Sequence, residues 1–195
     1  ENRLRFPIMV CKAVREAIGL RMAIDFRMNW DDLCEEGCHL DEACRIAEIM
    51  QDYVDSIHVS AGNQHIATSF VHTHPSMFLP AGPNVAAAAE IKKHVHIPVI
   101  VVGGINDPAM AEEIIASGKA DAVAMARTLL ADPFWPQKAR EGRDCDIIKC
   151  MHCFACMGSI IGLRDIVCSF NPLAGREAEY AVNRMPALRS KTVLV

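Results

Sequence analysis

Four short apolar segments alternate along the chain with longer segments whose apolar residues recur every three to four positions. Each short segment is bounded by turn residues, which predicts strands buried on both faces of a sheet. Strand–helix repetition of this kind is typical of a parallel sheet with right-handed crossovers. The predicted strands are Met22–Met28, Val54–Ser60, Pro98–Gly103 and Asp121–Ala126.

The segments between these strands predict amphipathic helices, because their apolar positions repeat with the helical period. The first helix ends at Gly19, a residue type that suits a helix C-terminus. The last of the repeating helices follows Asp107, a good N-cap, with Pro108 at its first position. The predicted helices are residues 3–18, 41–52, 84–94 and 108–118, with a further short helix near Gln137–Glu141.

Two segments lack a clear period. Residues 61–83 read as a long loop, and residues 169–190 read as an irregular linker. The strand spacing suits either a barrel or an open doubly wound sheet, and a complete eight-stranded barrel needs about 250 residues. The pattern therefore predicts an α/β fold that is either a small open sheet or half a barrel.

Composition narrows the class of protein. Of 195 residues 51% are hydrophobic, and the net charge of −4 disfavours nucleic acid as a partner. No apolar run reaches the roughly 18–20 residues that span a bilayer. Nine cysteines without a secretory signal indicate a reducing compartment, so a cytoplasmic location is expected.

The chemistry of the chain centres on a cysteine quartet. Three cysteines recur at every third position, and a fourth follows after eleven residues. Four thiolates around one soft centre suit an iron–sulfur cluster best and zinc second, since zinc sites more often use two separate CxxC pairs. Cys145 is close enough in sequence to confuse the ligand assignment. The predicted ligands are Cys150, Cys153, Cys156 and Cys168.

Two neighbouring strand ends carry features of an anion site. Gly103 and Gly104 follow one strand, and the next strand ends at Ala126 and Arg127. Glycines let backbone N–H groups approach a phosphate closely, and barrels often bind phosphate after two adjacent strands. A tight turn without a ligand explains the glycines about equally well.

Other polar residues lie near strand ends. Arg27 could meet negative charge on a ligand, although an ion pair with Asp25 or Asp31 is the favoured explanation from the pattern alone. The 61–83 segment holds three histidines, of which one is expected to face a substrate. They are His65, His72 and His74.

Two groups of short segments, taken in the order in which they occur along the chain, carry a resemblance to a known family. The first part comprises Arg5-Phe6, Ala13–Gly19, Arg27, His58–Ser60, Ile97–Ile105 and Ala120–Arg127. The second comprises Ala131–Pro133, Lys138, Glu141-Gly142, the cysteine quartet, Asn171-Pro172 and Gly175–Glu177. In this order they resemble the Old Yellow Enzyme-like NADH:flavin oxidoreductases. The quartet places the resemblance in the iron–sulfur branch, with 2,4-dienoyl-CoA reductase, trimethylamine dehydrogenase and bile-acid enoate reductases.

The resemblance implies a set of cofactor contacts. Arg27 would stabilise negative charge on the FMN pyrimidine, and the quartet would bind a [4Fe-4S] cluster. The FMN phosphate would be held by Gly103, Gly104 and the backbone at Ala126 and Arg127, although many members have glycine where Ala126 stands. His65 is the nearest match to the family's catalytic histidine.

The resemblance also implies a domain organisation. Residues 1–143 would form the second half of a TIM barrel, strands five to eight, and residues 144–180 the cluster segment. Residues 181–195 would be a linker and the first strand of an FAD/NAD-binding domain. The chain is thus expected to be a fragment that is inactive alone, lacking the first four strands.

The implied activity is reduction of an activated C=C bond of a small-molecule substrate by NAD(P)H through FAD, the cluster and FMN. An amine dehydrogenase or demethylase is the alternative, because Cys153 and Cys156 are spaced as in that type. An alternative of another class is a non-catalytic iron–sulfur or zinc module. Nucleic acid and membrane partners are not expected, and the pattern is compatible with a homo-oligomer.

Overall fold

The computed structural model describes residues 2–182 and Thr192. Four strands form one sheet: β1 (Asp25–Asn29), β2 (Ser56–Ser60), β3 (Val99–Val102) and β4 (Ala122–Ala124). The helices that lie between the strands are α1 (Arg5–Ile18), α2 (Leu40–Met50), α3 (Ala67–Thr73), α4 (Val85–Lys92) and α5 (Pro108–Ala116). The later helices are α6 (Arg127–Ala131), α7 (Trp135–Arg140), α8 (Ala155–Ile161) and α9 (Glu177–Val182). Two short 3-10 helices span Asn2–Leu4 and Asp144–Asp146.

All strand pairs are parallel, and their spatial order β1-β2-β3-β4 follows the chain. A doubly wound sheet reverses its strand order at a switch point, whereas a barrel adds each strand beside the previous one. The strand order therefore favours half a barrel over a small open doubly wound sheet. The sheet comprises four consecutive units of the barrel type.

The two faces of the sheet differ because side chains alternate along each strand. Ile57, Val59, Val99 and Val101 are fully buried on the face that the helices cover, where they form the core. The opposite face carries polar residues at matched positions, such as Arg27 in register with His58. Parallel sheets are normally buried on both faces, and in a closed barrel the remaining strands cover this second face.

Helix signals in the sequence are confirmed at α5. The Asp107 carboxylate accepts a hydrogen bond from the Ala109 N–H at 2.9 Å, and Pro108 is the first helical residue. Residues 3–18, 41–52 and 84–94 also form helices, with ends shifted by up to two residues. Within the described part of the chain, no helix is both long and apolar enough to cross a membrane.

Two predictions for irregular segments are wrong in part. The 61–83 segment contains α3, and the 169–190 segment contains α9. Both helices are short, so they carry too little apolar periodicity to be recognised. The strand expected at Lys191–Val195 lies outside the described residues, apart from Thr192.

Replacement of Met50 by alanine should destabilise the fold. Met50 is fully buried under the sheet, so its loss leaves a cavity and should lower the free energy of unfolding by about 2–5 kcal/mol. The neighbouring Ile49 is 37% exposed, and Ile49→Ala is the matched control. Urea unfolding of the complete protein measures both. Equal shifts of the urea midpoint in the two variants would contradict the assigned core.

Candidate functional site

A cavity of about 370 Å3 lies where the strands end, and we call it the strand-end cavity. The carboxyl ends of parallel strands meet at one edge of a sheet, which is where barrels and open α/β folds bind ligands. Its polar lining includes Arg27 from the middle of β1 and Ser60 from the end of β2. Further lining residues include His74, Asn84, Gly103, Gly104, Ala126, Arg127, Leu130, His152 and Cys156.

The turn after β3 requires its glycines. Gly103 has φ +124° and Gly104 has φ +63°, conformations that residues with a side chain rarely adopt. A Cβ atom on Gly103 would also lie 2.8 Å from the Asn84 amide nitrogen. That amide donates to the Val102 carbonyl at 2.7 Å and accepts from the Trp30 indole at 2.9 Å. The Asn84 side chain therefore fixes the backbone of the turn that bounds the strand-end cavity.

Arg127 has one nitrogen paired and one free. Its Nη2 donates to the Pro75 carbonyl at 2.8 Å, whereas Nη1 is buried without a partner among the described residues. An arginine keeps its charge at any physiological pH, so an unpartnered buried guanidinium nitrogen is costly unless a ligand pairs with it. The lining thus fits an anionic group.

Arg27 is not engaged in the ion pair that its neighbours suggested. Asp25 instead accepts from Ser56 Oγ at 2.6 Å and faces His58 Nδ1 at 3.0 Å, and Asp31 faces His39. Among the described residues none forms an ion pair with Arg27. Its guanidinium is therefore available to a ligand in the strand-end cavity.

The three histidines of the 61–83 segment differ in position. His65 is exposed, with its backbone N–H bonded to the Asn63 side chain, and it lies outside the lining of the strand-end cavity. His74 lines that cavity. Burial lowers the pKa of His74, and the guanidiniums of Arg127 and Arg27 lower it further. Its imidazole is therefore neutral at neutral pH.

The four cysteines of the quartet line one small second cavity, which we call the thiol cavity. Cys156 belongs to α8, so only part of the predicted tight loop is irregular. The Cys150 sulfur accepts from the His152 N–H at 3.4 Å, and the Cys168 sulfur accepts from the Phe170 N–H at 3.5 Å. Backbone N–H groups directed at cysteine sulfurs are among the features that tune iron–sulfur sites.

The pKa values of two quartet cysteines, Cys150 and Cys153, are shifted in opposite directions. Ser169 lies 3.3 Å from the Cys153 sulfur, and this hydrogen bond, followed by one from the Ala155 backbone, lowers the pKa of Cys153. Burial raises the pKa of Cys150. Across the described residues, no three His, Cys, Asp or Glu side chains are gathered closely enough to hold a single metal ion.

The other cysteines lie apart from the quartet. Cys11 and Cys44 are buried core residues, as predicted, and Cys145 is exposed outside the lining of the thiol cavity. Burial, with the nearby Glu42, raises the pKa of Cys38 to about 11.

Asp132 anchors the segment that carries the quartet. Its side chain is 2% exposed, and its carboxylate accepts from Lys138 Nζ at 2.6 Å and from the Ile148 N–H at 2.9 Å. Burial alone would raise the pKa of Asp132, but the hydrogen bonds from Lys138 and the backbone outweigh it and hold that pKa below its ordinary value. The cysteine segment is also held by Asn106, whose side-chain amide donates to the Cys150 carbonyl at 2.7 Å.

Several residues of the site carry no signal in the sequence. Asn84 is brought to the strand-end cavity only by the tertiary fold, whereas His152 and Phe154 lie between cysteines of the quartet but have residue types that predict no role there. Of these, His152 and Phe154 have φ of 53° and 66°, which is unusual for residues with bulky side chains and often marks a functional site. Left-handed backbone conformations on either side of Cys153 cannot be detected from composition or periodicity.

A sheet of barrel-type units with a ligand cavity at the strand ends defines a class of α/β enzymes. Residues 1–146 match the NADH:flavin oxidoreductase / NADH oxidase family. The chain belongs to this family.

Several curated relatives match along the whole chain. The NADH oxidase of Thermoanaerobacter brockii is 42% identical over 199 residues, covering 100% of this chain and 30% of that protein. The cinnamate reductase of Clostridium sporogenes is 30% identical over 211 residues, covering 100% of this chain and 31% of that protein. The chain thus spans about a third of the length of these relatives.

A solved structure of 2-naphthoyl-CoA reductase in complex with 2-naphthoyl-CoA is similar along nearly the whole chain. The TM-score is 0.88 at 29% sequence identity, and the match covers 97% of this chain and 29% of that one. The likeness extends beyond the sheet to most of the later segments. It confirms an α/β fold of the TIM-barrel oxidoreductase type.

Replacement of Asp132 by asparagine should destabilise the cysteine segment, because it leaves Lys138 without its charged partner in a buried site. We expect a loss of about 3–5 kcal/mol in the free energy of unfolding at pH 7. The folded pKa of Asp132 lies below its unfolded value, so its contribution is full above about pH 5 and is lost as the pH falls through the folded pKa. The difference between variant and wild type should therefore shrink in acid.

Asp146→Asn is the control for this experiment. Asp146 pairs with Arg143 at 3.0 Å, but its side chain is 55% exposed, so its removal should change stability little. Urea unfolding of the complete protein at pH 7 and pH 3 provides the comparison. An Asp132→Asn variant as stable as Asp146→Asn at pH 7 would contradict the anchoring role.

Proposed function

We propose that this chain is part of a flavin-dependent reductase that uses NAD(P)H to reduce an activated C=C bond in an enoate, enone or enoyl-CoA. Electrons from NAD(P)H would enter at an FAD and reach FMN in the strand-end cavity through a [4Fe-4S] cluster in the thiol cavity. The observation that carries the proposal is a shared wall. Both cavities are lined by Arg127, Leu130, His152 and Cys156.

The shared wall matters because electron transfer requires close cofactors. Cys156 is a proposed cluster ligand, and it also lines the proposed FMN site. A cluster bound by this cysteine would therefore lie against the flavin without an intervening domain. Iron–sulfur clusters carry single electrons, which suits exchange with a flavin.

The residues of the strand-end cavity have defined parts in the proposal. Arg27, free of any ion pair within residues 2–182, would stabilise negative charge on the flavin pyrimidine. Gly103, Gly104 and the backbone at Ala126 would approach the phosphate, and Arg127 Nη1 would pair with it. When bound, FMN supplies hydride transfer to the β-carbon of the substrate.

His74 contributes by being neutral. The guanidiniums of Arg27 and Arg127 face the same cavity. A protonated His74 would add a third positive charge and would raise the electrostatic free energy of the protein without a ligand. His65 stays a prediction as the catalytic histidine; its exposed position gives it no contact with the strand-end cavity.

Residues 1–143 are proposed as the FMN-binding part and residues 144–180 as the cluster segment. The Asp132 carboxylate joins them, since it bonds both Lys138 and the Ile148 N–H. A cytoplasmic location is proposed from the nine cysteines, which a reducing compartment keeps available as ligands.

An amine dehydrogenase is the second candidate, favoured by the two residues between Cys153 and Cys156. In that case substrate would reduce FMN, and the cluster would export the electrons. A test of the complete protein decides the direction: NADH-dependent loss of cinnamate absorbance supports the reductase, whereas dye reduction by dimethylamine supports the dehydrogenase. A protein with zinc in place of iron and labile sulfide, or without flavin, would contradict both.

Replacement of Cys153 by serine should abolish cluster assembly, because a hydroxyl is a poor ligand for soft iron–sulfur centres. We expect loss of iron, of labile sulfide and of NADH-driven turnover in the complete protein. Some turnover should remain with dithionite, which can reduce FMN directly. The control is Cys145→Ser, since Cys145 is exposed outside the thiol cavity. Unchanged NADH-driven turnover in Cys153→Ser would refute the relay.

Replacement of Arg27 by alanine should weaken FMN binding by about 10- to 100-fold, as expected for loss of a charged hydrogen bond. It should also lower the reduction potential of the flavin, because the anionic reduced form loses its countercharge. Fluorescence titration and potentiometry of the complete protein measure the two effects. The control is Arg45→Ala, an exposed arginine of α2. If neither property changes in Arg27→Ala, the charge-stabilising role is wrong.

A further inference from the structure

The ring of Phe154 is placed under Arg127. The guanidinium carbon of Arg127 lies 5.5 Å from the centroid of the ring, within the range of a cation–π contact. Phe154 also packs against Phe70, with 6.1 Å between ring centroids. It lies in the cysteine loop between Cys153 and Cys156, yet a phenyl ring cannot be a cluster ligand. Its role must therefore be sought at Arg127.

The backbone at Phe154 is held in an unfavourable conformation. Its φ of 66° and ψ of 6° are left-handed, which costs a non-glycine residue about 1–2 kcal/mol. Glycine would occupy this position without strain. A phenylalanine here implies that the side chain contributes something that glycine does not.

The contacts of Arg127 leave one guanidinium nitrogen without a partner among the described residues. The Pro75 carbonyl holds Nη2 at 2.8 Å, and the Phe154 ring supports one face of the guanidinium. Nη1 stays buried and unpartnered among the described residues. Two fixed contacts on a planar group determine its orientation, so the free nitrogen has a defined direction before a ligand arrives.

We propose that Phe154 is a positioning residue for the phosphate of FMN: its ring orients the Arg127 guanidinium so that Nη1 is pre-organised for the anion. This inference rests on the proposed function, because it takes FMN as the ligand of the strand-end cavity. It assigns to the cysteine loop a second role, separate from holding the cluster. The loop thereby contributes directly to flavin binding.

The test compares two phenylalanines of the thiol cavity. Phe154→Leu keeps apolar bulk and removes the π face, whereas Phe154→Tyr keeps the face. Phe170→Leu is the matched control, since Phe170 lines the same cavity, and within residues 2–182 Arg127 stacks only on Phe154. FMN and riboflavin, which lacks the phosphate, are titrated by flavin fluorescence into deflavinated complete protein whose iron content is measured.

We expect the Phe154 substitution to weaken the binding of FMN, which carries the phosphate, and to leave the binding of riboflavin unchanged. Phe154→Leu should retain its iron, bind FMN about 3- to 30-fold more weakly and bind riboflavin as the wild type does. Phe154→Tyr and Phe170→Leu should bind both flavins normally. Wild-type FMN affinity in Phe154→Leu would overturn the proposal, and so would an equal loss for riboflavin or a loss of iron.

Failure of the proposed function gives a different outcome. A wild-type protein that binds neither flavin would overturn the proposed function together with this inference. A wild-type protein that prefers FMN to riboflavin, with Phe154→Leu showing the same preference, would overturn the inference alone.

Discussion

Parallel pairing of four strands in chain order is the constraint on which the rest of the molecule depends. It sends every carboxyl end to one edge, so residues far apart in sequence, such as Arg27, Gly103 and Arg127, line one cavity. The period-two alternation then divides each strand between a helix-covered core face and a second face with polar side chains. Ile57 and His58 are adjacent in β2, yet one belongs to the core and the other to the second face.

The strand-end cavity concentrates positive charge in a chain whose net charge is −4. Arg27 and Arg127 both face it, and their acidic neighbours are occupied elsewhere, as Asp25 is by His58. Burial and these two guanidiniums together lower the pKa of His74, which disfavours a further positive charge on this histidine. Within residues 2–182, Arg127 Nη1 is buried without a partner, which costs stability in the free protein, and an anionic ligand would offset that cost.

The sequence predicts the elements better than the contacts between them. The strands and most helices follow from periodicity and turn residues, and Asp107 was recognisable as a cap because capping is local. The short helix Ala67–Thr73 was missed because seven residues hold too few apolar repeats. Whether Arg27 pairs with Asp25 or a ligand depends on a neighbouring strand, since His58 of β2 takes that carboxylate. No pattern within one strand contains that information.

The wall between the two cavities contains the positive charge of Arg127, and both proposed occupants are anionic. Cluster thiolates and a flavin phosphate on opposite sides of a wall that excludes water would repel each other with little screening by salt. Arg127 lines both cavities, and its planar guanidinium can rest on the Phe154 ring while its edge nitrogens pair with oxygen atoms. A lysine, with one compact ammonium group, could not make both contacts. The same residue would thus lower the cost of binding either group and, by linkage, couple the occupancy of the two cavities.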